Sequence, residues 1–294
     1  MDLFAALEKL RKEILVCSFA ALILFTLGLV ALLVPLSQGI RITLAAILFA
    51  LFLVMLPVIR LRISRYMRLY ARNMQREILE AEFENVTYKP DDGIARSLIE
   101  DTDMIMMGNE YRASEFRTGR YRGIDCVMSD VALRSRVKKN GKDFRVTYFD
   151  GGWMVFTFDK SFRESLQVKE KSFLNAQKPR GEHPDLNRTY TESEALGRFF
   201  KVYAVGKKEA ESFLTPALEQ AILRLNYDLP GDLMFYFHRN RLHIARHGTR
   251  TRYEPKVFGR LDRQEIERIL LSDIRTVQRF LDALLDETSL FEGS

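Results

Sequence analysis

Cysteine and histidine are scarce in this chain, and their scarcity excludes several kinds of chemistry. The 294 residues include two cysteines, Cys17 and Cys126, too few and too far apart for a disulfide framework or a four-cysteine metal site. Two isolated thiols of this kind suit a reducing compartment. The histidines are His183, His238, His243 and His247.

Three of these histidines fall within the run HRNRLHIARH. A two-residue hairpin loop there would place Tyr236 beside His243, with His247 on the same strand face and Asp232 as its one acidic neighbour. A metal ion needs more carboxylate or thiolate ligands than this run offers. We therefore predict a half-exposed strand face and no metal site.

Motifs for catalysis are also missing. The chain has no glycine-rich phosphate loop, no nucleophile elbow and no calcium-binding loop. Ser129-Asp130 has no histidine near it in sequence, and the acidic residues at 91–92 and 100–103 flank a short predicted helix, where acids serve as caps. No catalytic residue and no cofactor is predicted.

Basic charge is concentrated in one segment, RLRISRYMRLYARNMQRE at residues 60–77. The chain has 45 basic and 39 acidic residues, and this segment holds six arginines and one glutamate, so the remainder is nearly neutral. A nucleic-acid-binding domain carries its basic charge across its folded surface. The distribution therefore argues against nucleic acid as a partner.

Two uncharged apolar runs precede that segment, at residues 14–36 and 42–59. A helix needs about 20 apolar residues to cross the hydrocarbon core of a bilayer. The connecting turn is short and contains Gly39, which makes the two helices antiparallel neighbours. Residues 1–59 are therefore predicted to form a transmembrane helical hairpin, whose small residues allow close helix approach. These are Ala20, Ala21, Ala45, Ala46 and Ala50.

The orientation follows from the flanking charges, because basic residues beside a span stay in the cytoplasm. Arg41 alone lies in the turn. This asymmetry predicts a bacterial inner-membrane protein with both termini and its main domain in the cytoplasm. The residues assigned to topology and to the membrane surface are Lys9, Arg11, Lys12, Arg60, Arg62, Arg65, Arg68, Arg72 and Arg76.

Residues 60–85 lack glycine and proline and are predicted to continue the second span as a basic amphipathic helix. Arg65, Arg68, Arg72 and Arg76 share one stripe, and Tyr66 and Tyr70 lie on the opposite face. The stripe suits anionic headgroups, at about 1 kcal/mol for each basic residue near the surface. The apolar face must pack on the bilayer, on the chain's own domain or on another copy.

The remaining residues predict an α+β domain with an antiparallel sheet and packed helices. A first subdomain is assigned to residues 86–172, with a hairpin at Asn140-Gly141 and a strand break at Gly151-Gly152. Residues 173–198 are polar, carry two prolines and two glycines, and are assigned to a loop or linker.

A second subdomain is assigned to residues 199–294. It contains a helix capped by Thr215, a hairpin turning at Arg239-Asn240 and a long C-terminal helix that begins at a capping box, Asp262 and Glu265.

Several segments, in this order, resemble a bacterial family of membrane proteins, domain-of-unknown-function family 3137. They are YRG, SDV, FDGGWMVFTFDKSF, FFKVYA, EAESFLTPALEQAIL and LHIA. The resemblance covers roughly residues 60–285. It implies a two-helix hairpin followed by a cytosolic domain, and it implies no catalytic residues.

Three functions remain open from the sequence. The first is a membrane-anchored cytosolic adaptor or scaffold without catalytic activity, which binds a protein partner or a second copy. The second is a membrane-associated enzyme acting on lipid or envelope precursors. The third is a module that senses anionic lipid through the arginine stripe. A deep polar pocket would favour the enzyme, and an exposed apolar patch would favour the adaptor.

Overall fold

The computed structural model describes residues 3–35, 37–70, 73, 75–139, 141–172, 185–249, 257, 259 and 263–293. The chain forms two compact units. The first unit comprises residues 1–77 and 254–267, and the second comprises residues 78–253 and 268–294.

The first unit is built on two long helices, α1 (Leu3–Leu33) and α2 (Gln38–Leu69). Both are long and apolar enough to cross a membrane, so the two predicted apolar helices are confirmed. Each extends beyond its uncharged run at the end away from the turn, because the flanking residues are good helix formers. Pro57 lies inside α2.

The basic segment is largely helical. It begins in α2, and α3 (Gln75–Glu82) covers its last part. Arg72, one of the predicted membrane-surface residues, lies outside the described residues.

The second unit contains a nine-stranded sheet in which the paired strands run antiparallel. Its strand order is β1-β2-β3-β4-β9-β8-β5-β7-β6. With helices packed on it, this sheet confirms the predicted α+β class. The strands are β1 (Glu84–Lys89), β2 (Glu110–Tyr121), β3 (Ile124–Lys139), β4 (Lys142–Thr157), β5 (Leu166–Glu170), β6 (Asn187–Thr189), β7 (Phe200–Ala204), β8 (Asp232–His238) and β9 (Arg241–His247).

The predicted division into subdomains at 86–172 and 199–294 is wrong. β9 pairs with β4, and β8 pairs with β5, so strands from both halves alternate within one sheet. The pairing joins residues some 90 positions apart, such as Trp153 and Ala245. Pairing at this separation leaves no periodic signal in the sequence.

The predicted strand break at Gly151-Gly152 is also wrong, because β4 runs through both glycines. A Cβ atom on Gly151 would lie 2.0 Å from the carbonyl oxygen of Arg246. Glycine is therefore needed here so that the backbone of β9 can approach β4 closely.

The described helices of the second unit are short, apart from the part of α8 (Arg263–Asp286) from residue 268 onward. The others are α4 (Arg96–Glu100), α5 (Glu194–Phe199), α6 (Lys207–Phe213), α7 (Pro216–Asp228) and a 3₁₀ turn (Thr288–Leu290). The Thr215 cap is confirmed, since its hydroxyl accepts from the Leu218 N–H at 3.2 Å. The Asp262 side of the predicted capping box lies outside the described residues.

Helix α5 and strand β6 occupy part of the predicted linker at 173–198. Ser193 caps α5 by accepting a hydrogen bond from the Leu196 N–H at 3.2 Å. Residues 173–184 lie outside the described residues.

Apolar cores cover both faces of the sheet, because successive residues of a strand point to opposite sides. Along β4, Met154 and Phe156 enter the core that contains α7 and α8, whereas Trp153 and Val155 enter the core beneath residues 94–107.

Candidate functional site

Large apolar side chains cover the outside of α1 and α2. They are exposed from Val16 to Leu33 on α1 and from Ile40 to Leu61 on α2. These stretches span about 26 and 32 Å at 1.5 Å per residue, close to the roughly 30 Å of a bilayer core. Only 22% and 6% of their most apolar windows are buried, unlike a helix in a soluble core. The two helices indicate membrane association.

The buried seam between α1 and α2 is lined by small residues, of which Ala21, Ala31 and Ala45 are almost fully buried. A Cβ on Gly28 would lie 2.9 Å from the Phe49 ring, so glycine permits the close approach. Ala21 and Ala45 were predicted for this seam, but Gly28 and Ala31 were not. Ala46 and Ala50 face outward, because the seam repeats at a helical spacing that composition does not reveal.

The described basic residues of the predicted membrane surface lie at the ends of the helices remote from the turn. Arg62 forms an ion pair with Glu13, which joins α2 to α1. Arg11 pairs with Glu8 at 2.7 Å and donates to the carbonyl oxygen of Gly259. Those that are exposed are Lys9, Lys12, Arg60, Arg65, Arg68 and Arg76.

The face opposite the arginine stripe is buried, as its pattern predicts. Tyr66 and Tyr70 have almost no exposed surface. The part of α2 beyond the apolar run therefore has one buried aromatic side and one charged side. This arrangement leaves the exposed arginines of α2 available to a charged surface.

The histidine face is buried more deeply than predicted. His243 is buried, and its Nδ1 accepts a hydrogen bond from the Trp153 indole N–H at 3.3 Å. Burial lowers the pKa of His243 to about 3. His247 is half-buried, and its Nδ1 accepts from the Asp150 N–H at 3.2 Å, while burial lowers its pKa. Tyr236 faces His243 and Asp232 faces His247 across β8 and β9, as predicted, but Asp150 of β4 is a second acidic neighbour of His247.

No group of three or more histidine, cysteine, aspartate or glutamate side chains that could hold a metal ion occurs in the described part of the chain. The hydroxyl of Ser129 is engaged in hydrogen bonds with two backbone groups. It donates to the carbonyl oxygen of Ser114 at 2.7 Å and accepts from the Ile94 N–H at 3.2 Å.

A cavity of about 390 Å³ opens beside the β8–β9 turn, with Thr102, Tyr236 and His243 in its lining. Burial raises the pKa of Tyr236 to about 12, and His243 stays neutral. A general base works best when its pKa lies near the working pH. Neither Tyr236 nor His243 meets that condition.

A second cavity, of about 580 Å³, lies over β2 and β3. Its lining includes Arg134 and Asp150, which form an ion pair at 2.6 Å, so much of its charge is internally neutralised.

The sheet edge at β6 carries exposed aromatic residues that sequence reasoning did not single out. Tyr190 is 74% exposed, and Phe199 and Val205 are also exposed. The Arg188 guanidinium lies 5.5 Å from the Tyr190 ring centre, and that of Arg198 lies 5.7 Å from the Phe199 ring centre. We call these five residues the β6-edge patch. Their exposure depends on strand order, which no local pattern reveals.

Residues 147–285 match the model of a family described as a protein of unknown function, DUF3137, so the resemblance predicted from the sequence is confirmed over those residues. A crystal structure of the mycobacterial trehalose monomycolate transport factor A, TtfA, is similar over 73% of this chain and 94% of that chain, at 11% identity and a TM-score of 0.41. That likeness carries no functional conclusion at this score. No curated protein matches the sequence.

Proposed function

We propose that this protein is an adaptor or scaffold that is anchored in a bacterial inner membrane and binds a protein partner through its cytoplasmic sheet unit. Two features support the proposal. The exposed apolar helices supply an anchor, and the β6-edge patch supplies a surface suited to a protein.

The orientation proposal rests on charge. Three basic residues at 9–12 precede the first apolar run and five arginines at 60–72 follow the second, whereas Arg41 alone lies near the turn. A reporter active only outside the cytoplasm should work when inserted at Gln38 and should be silent when fused after Ser294. The opposite pattern would overturn the proposed topology.

The β6-edge patch is the observation that carries the adaptor role. Tyrosine, phenylalanine and arginine are enriched at protein interfaces, and tyrosine and arginine also at their energetic hot spots. Here two arginine–aromatic pairs lie next to the edge strands β6 and β7, and Val205 adds exposed apolar surface at the end of β7. Exposed apolar surface of this kind marks sites of association.

A photo-cross-linking amino acid at Tyr190 tests the patch in intact cells. The matched control is Tyr227, which is 90% exposed on α7 and is not part of the patch. We expect a discrete protein adduct from position 190, absent from position 227 and lost when Phe199→Ala and Arg188→Ala are added. Equal labelling at the two positions would contradict the adaptor proposal.

Anionic lipid is the second proposed partner, because Arg65 and Arg68 are exposed on one side of α2 just beyond its apolar belt. Surface potential fades within about 8 Å at physiological salt. Arg65 and Arg68 lie roughly 8 and 12 Å along the helix from Arg60. Arg68 should therefore contribute less than Arg65 to the binding of anionic headgroups.

A further inference from the structure

The paired ends of β3 and β4 extend beyond the sheet as a two-stranded ribbon. β2 pairs with β3 only as far as Arg134, and β9 pairs with β4 only from Gly151 onward. Residues 135–139 and 142–147 therefore pair with each other alone. We call this segment the ribbon.

The base of the ribbon contacts Gly108 and Asn109, which precede β2. The Arg136 N–H donates to Asn109 Oδ1 at 3.0 Å, and Asn109 Nδ2 donates to the Arg136 carbonyl oxygen at 3.3 Å. Gly108 has a positive φ of 66°, and a Cβ there would lie 2.2 Å from the Arg134 carbonyl oxygen. These contacts fix the direction in which the ribbon leaves the sheet.

One face of the ribbon is apolar and exposed. Val137 pairs directly with Phe144, which is 50% exposed, and Val146 follows two residues later on the same face. Lys142 lies on this face too, two residues before Phe144 and closer to the turn. This face of the ribbon therefore exposes one aromatic residue, two valines and, closest to the turn, a lysine.

The ribbon is also strongly basic. Residues 135–147 contain five basic residues and one acidic residue, Asp143. The whole chain carries +6, of which the segment at 60–77 contributes +5 and the ribbon +4, so the remainder carries −3. These two segments therefore account for the net positive charge of the chain. Glu110 pairs with Arg145 at 3.1 Å at its base, while Lys138 and Lys142 are exposed.

We propose that the ribbon is a second membrane contact, which docks on the anionic surface of a lipid bilayer. Phe144 and the two valines enter the headgroup boundary, and Lys142, on the same face, meets lipid phosphates. Exposed apolar side chains surrounded by basic residues suit such a surface better than water. The exposed apolar helices of the same chain hold the ribbon at a high effective concentration near a bilayer. This proposal does not rest on the protein-binding role of the β6-edge patch.

The test uses the full chain in proteoliposomes of phosphatidylcholine, with or without phosphatidylglycerol. A benzophenone amino acid replaces Phe144, or Tyr227 in the control, and lipid adducts are measured by mass spectrometry. We expect adducts at position 144 in the anionic vesicles, at least several-fold above both position 227 and the vesicles of phosphatidylcholine alone.

Charge removal sharpens the test. Each basic residue near an anionic surface changes a binding constant by about five-fold. Lys142→Gln should therefore lower the adduct yield by about five-fold, whereas Lys138→Gln, on the opposite face beside Asp143, should lower it less. The matched control, Lys160→Gln, removes one exposed lysine from elsewhere on the sheet unit and should change nothing.

Three results would overturn the proposal. They are lipid adducts no higher at position 144 than at position 227, equal adducts with and without anionic lipid, and adducts mainly to a second copy of the chain. The last would make the ribbon a self-association surface.

Discussion

The helical hairpin and the sheet unit arrange the same kinds of amino acid in opposite ways. On α1 and α2, large residues such as Phe19 and Leu53 face outward, and small ones such as Ala21 and Ala45 are buried. In the sheet unit, large apolar residues such as Trp153 and Phe235 are fully buried. Apolar side chains are as stable in contact with lipid as with another helix. Helices in a membrane therefore associate through close approach of their backbones. Water drives large apolar side chains inward.

A phenylalanine-to-alanine change in each region should separate the two arrangements most strongly. Phe235→Ala leaves a cavity in the core of the sheet and should lower the free energy of unfolding by about 3–5 kcal/mol. Phe19→Ala removes a side chain that is 66% exposed and should cost less than about 1 kcal/mol. Chemical unfolding in detergent measures both. Similar losses would contradict the inside-out comparison.

Introducing a charge at an exposed position should be costly on the helical hairpin and nearly neutral on the sheet unit. Leu53→Arg puts a cation within the apolar belt of α2, where an arginine costs roughly 2.5–3.5 kcal/mol for insertion. Tyr227→Arg changes an exposed residue of the sheet unit and should stay within about 0.5 kcal/mol. The fraction recovered in the membrane pellet is the measurement. If Leu53→Arg inserts as well as the parent chain, the belt does not face lipid.

Acid should weaken the sheet unit through His243. Its folded pKa of about 3 lies below the ordinary value of 6.5, so the folded state resists protonation more than the unfolded state. The contribution to stability is complete above about pH 6.5 and is lost as pH falls toward 3, at up to about 1.4 kcal/mol per pH unit.

His243→Gln removes the titration, and its amide oxygen can still accept from Trp153. The difference in unfolding free energy between pH 7 and pH 5 should therefore shrink in this variant. An unchanged pH dependence would place the acid sensitivity elsewhere, for example at His247.

The smallest expected effect concerns the arginines beyond the belt. Arg65→Gln should weaken contact with anionic lipid by about 1 kcal/mol, and Arg68→Gln by less, because the surface potential decays along the helix. Arg62→Gln should instead loosen the hairpin, since its partner is Glu13. Cross-linking to anionic lipid distinguishes these outcomes. Equal losses at Arg65 and Arg68 would mean that α2 lies along the surface.

Local features were predicted well because their causes are local. The apolar runs became α1 and α2, Thr215 capped α7, and the Arg239-Asn240 turn joined β8 to β9. Each depends on residues within a few positions of one another. The role of Gly151 was not predicted because its cause is distant in the chain. This glycine leaves room for the backbone of β9, which lies far along the sequence.

The membrane-surface arginines show the same limit. Their stripe and the buried tyrosines opposite follow from helical spacing. The pairing of Arg62 with Glu13 does not, because it joins two helices whose relative rotation is set by Gly28 and the small residues of the seam.

The sequence by itself determined the two apolar helices, the basic helix end, the α+β composition and most of the turns. Each of these features depends on residues that are contiguous in the chain. Only the tertiary structure decided that β4, β9, β8 and β5 lie side by side in one sheet, that His243 is buried, and that the ribbon and the β6-edge patch stand exposed. These features depend on which distant strands exchange hydrogen bonds. That choice is made by the packing of whole faces, and no short stretch of the chain encodes it alone.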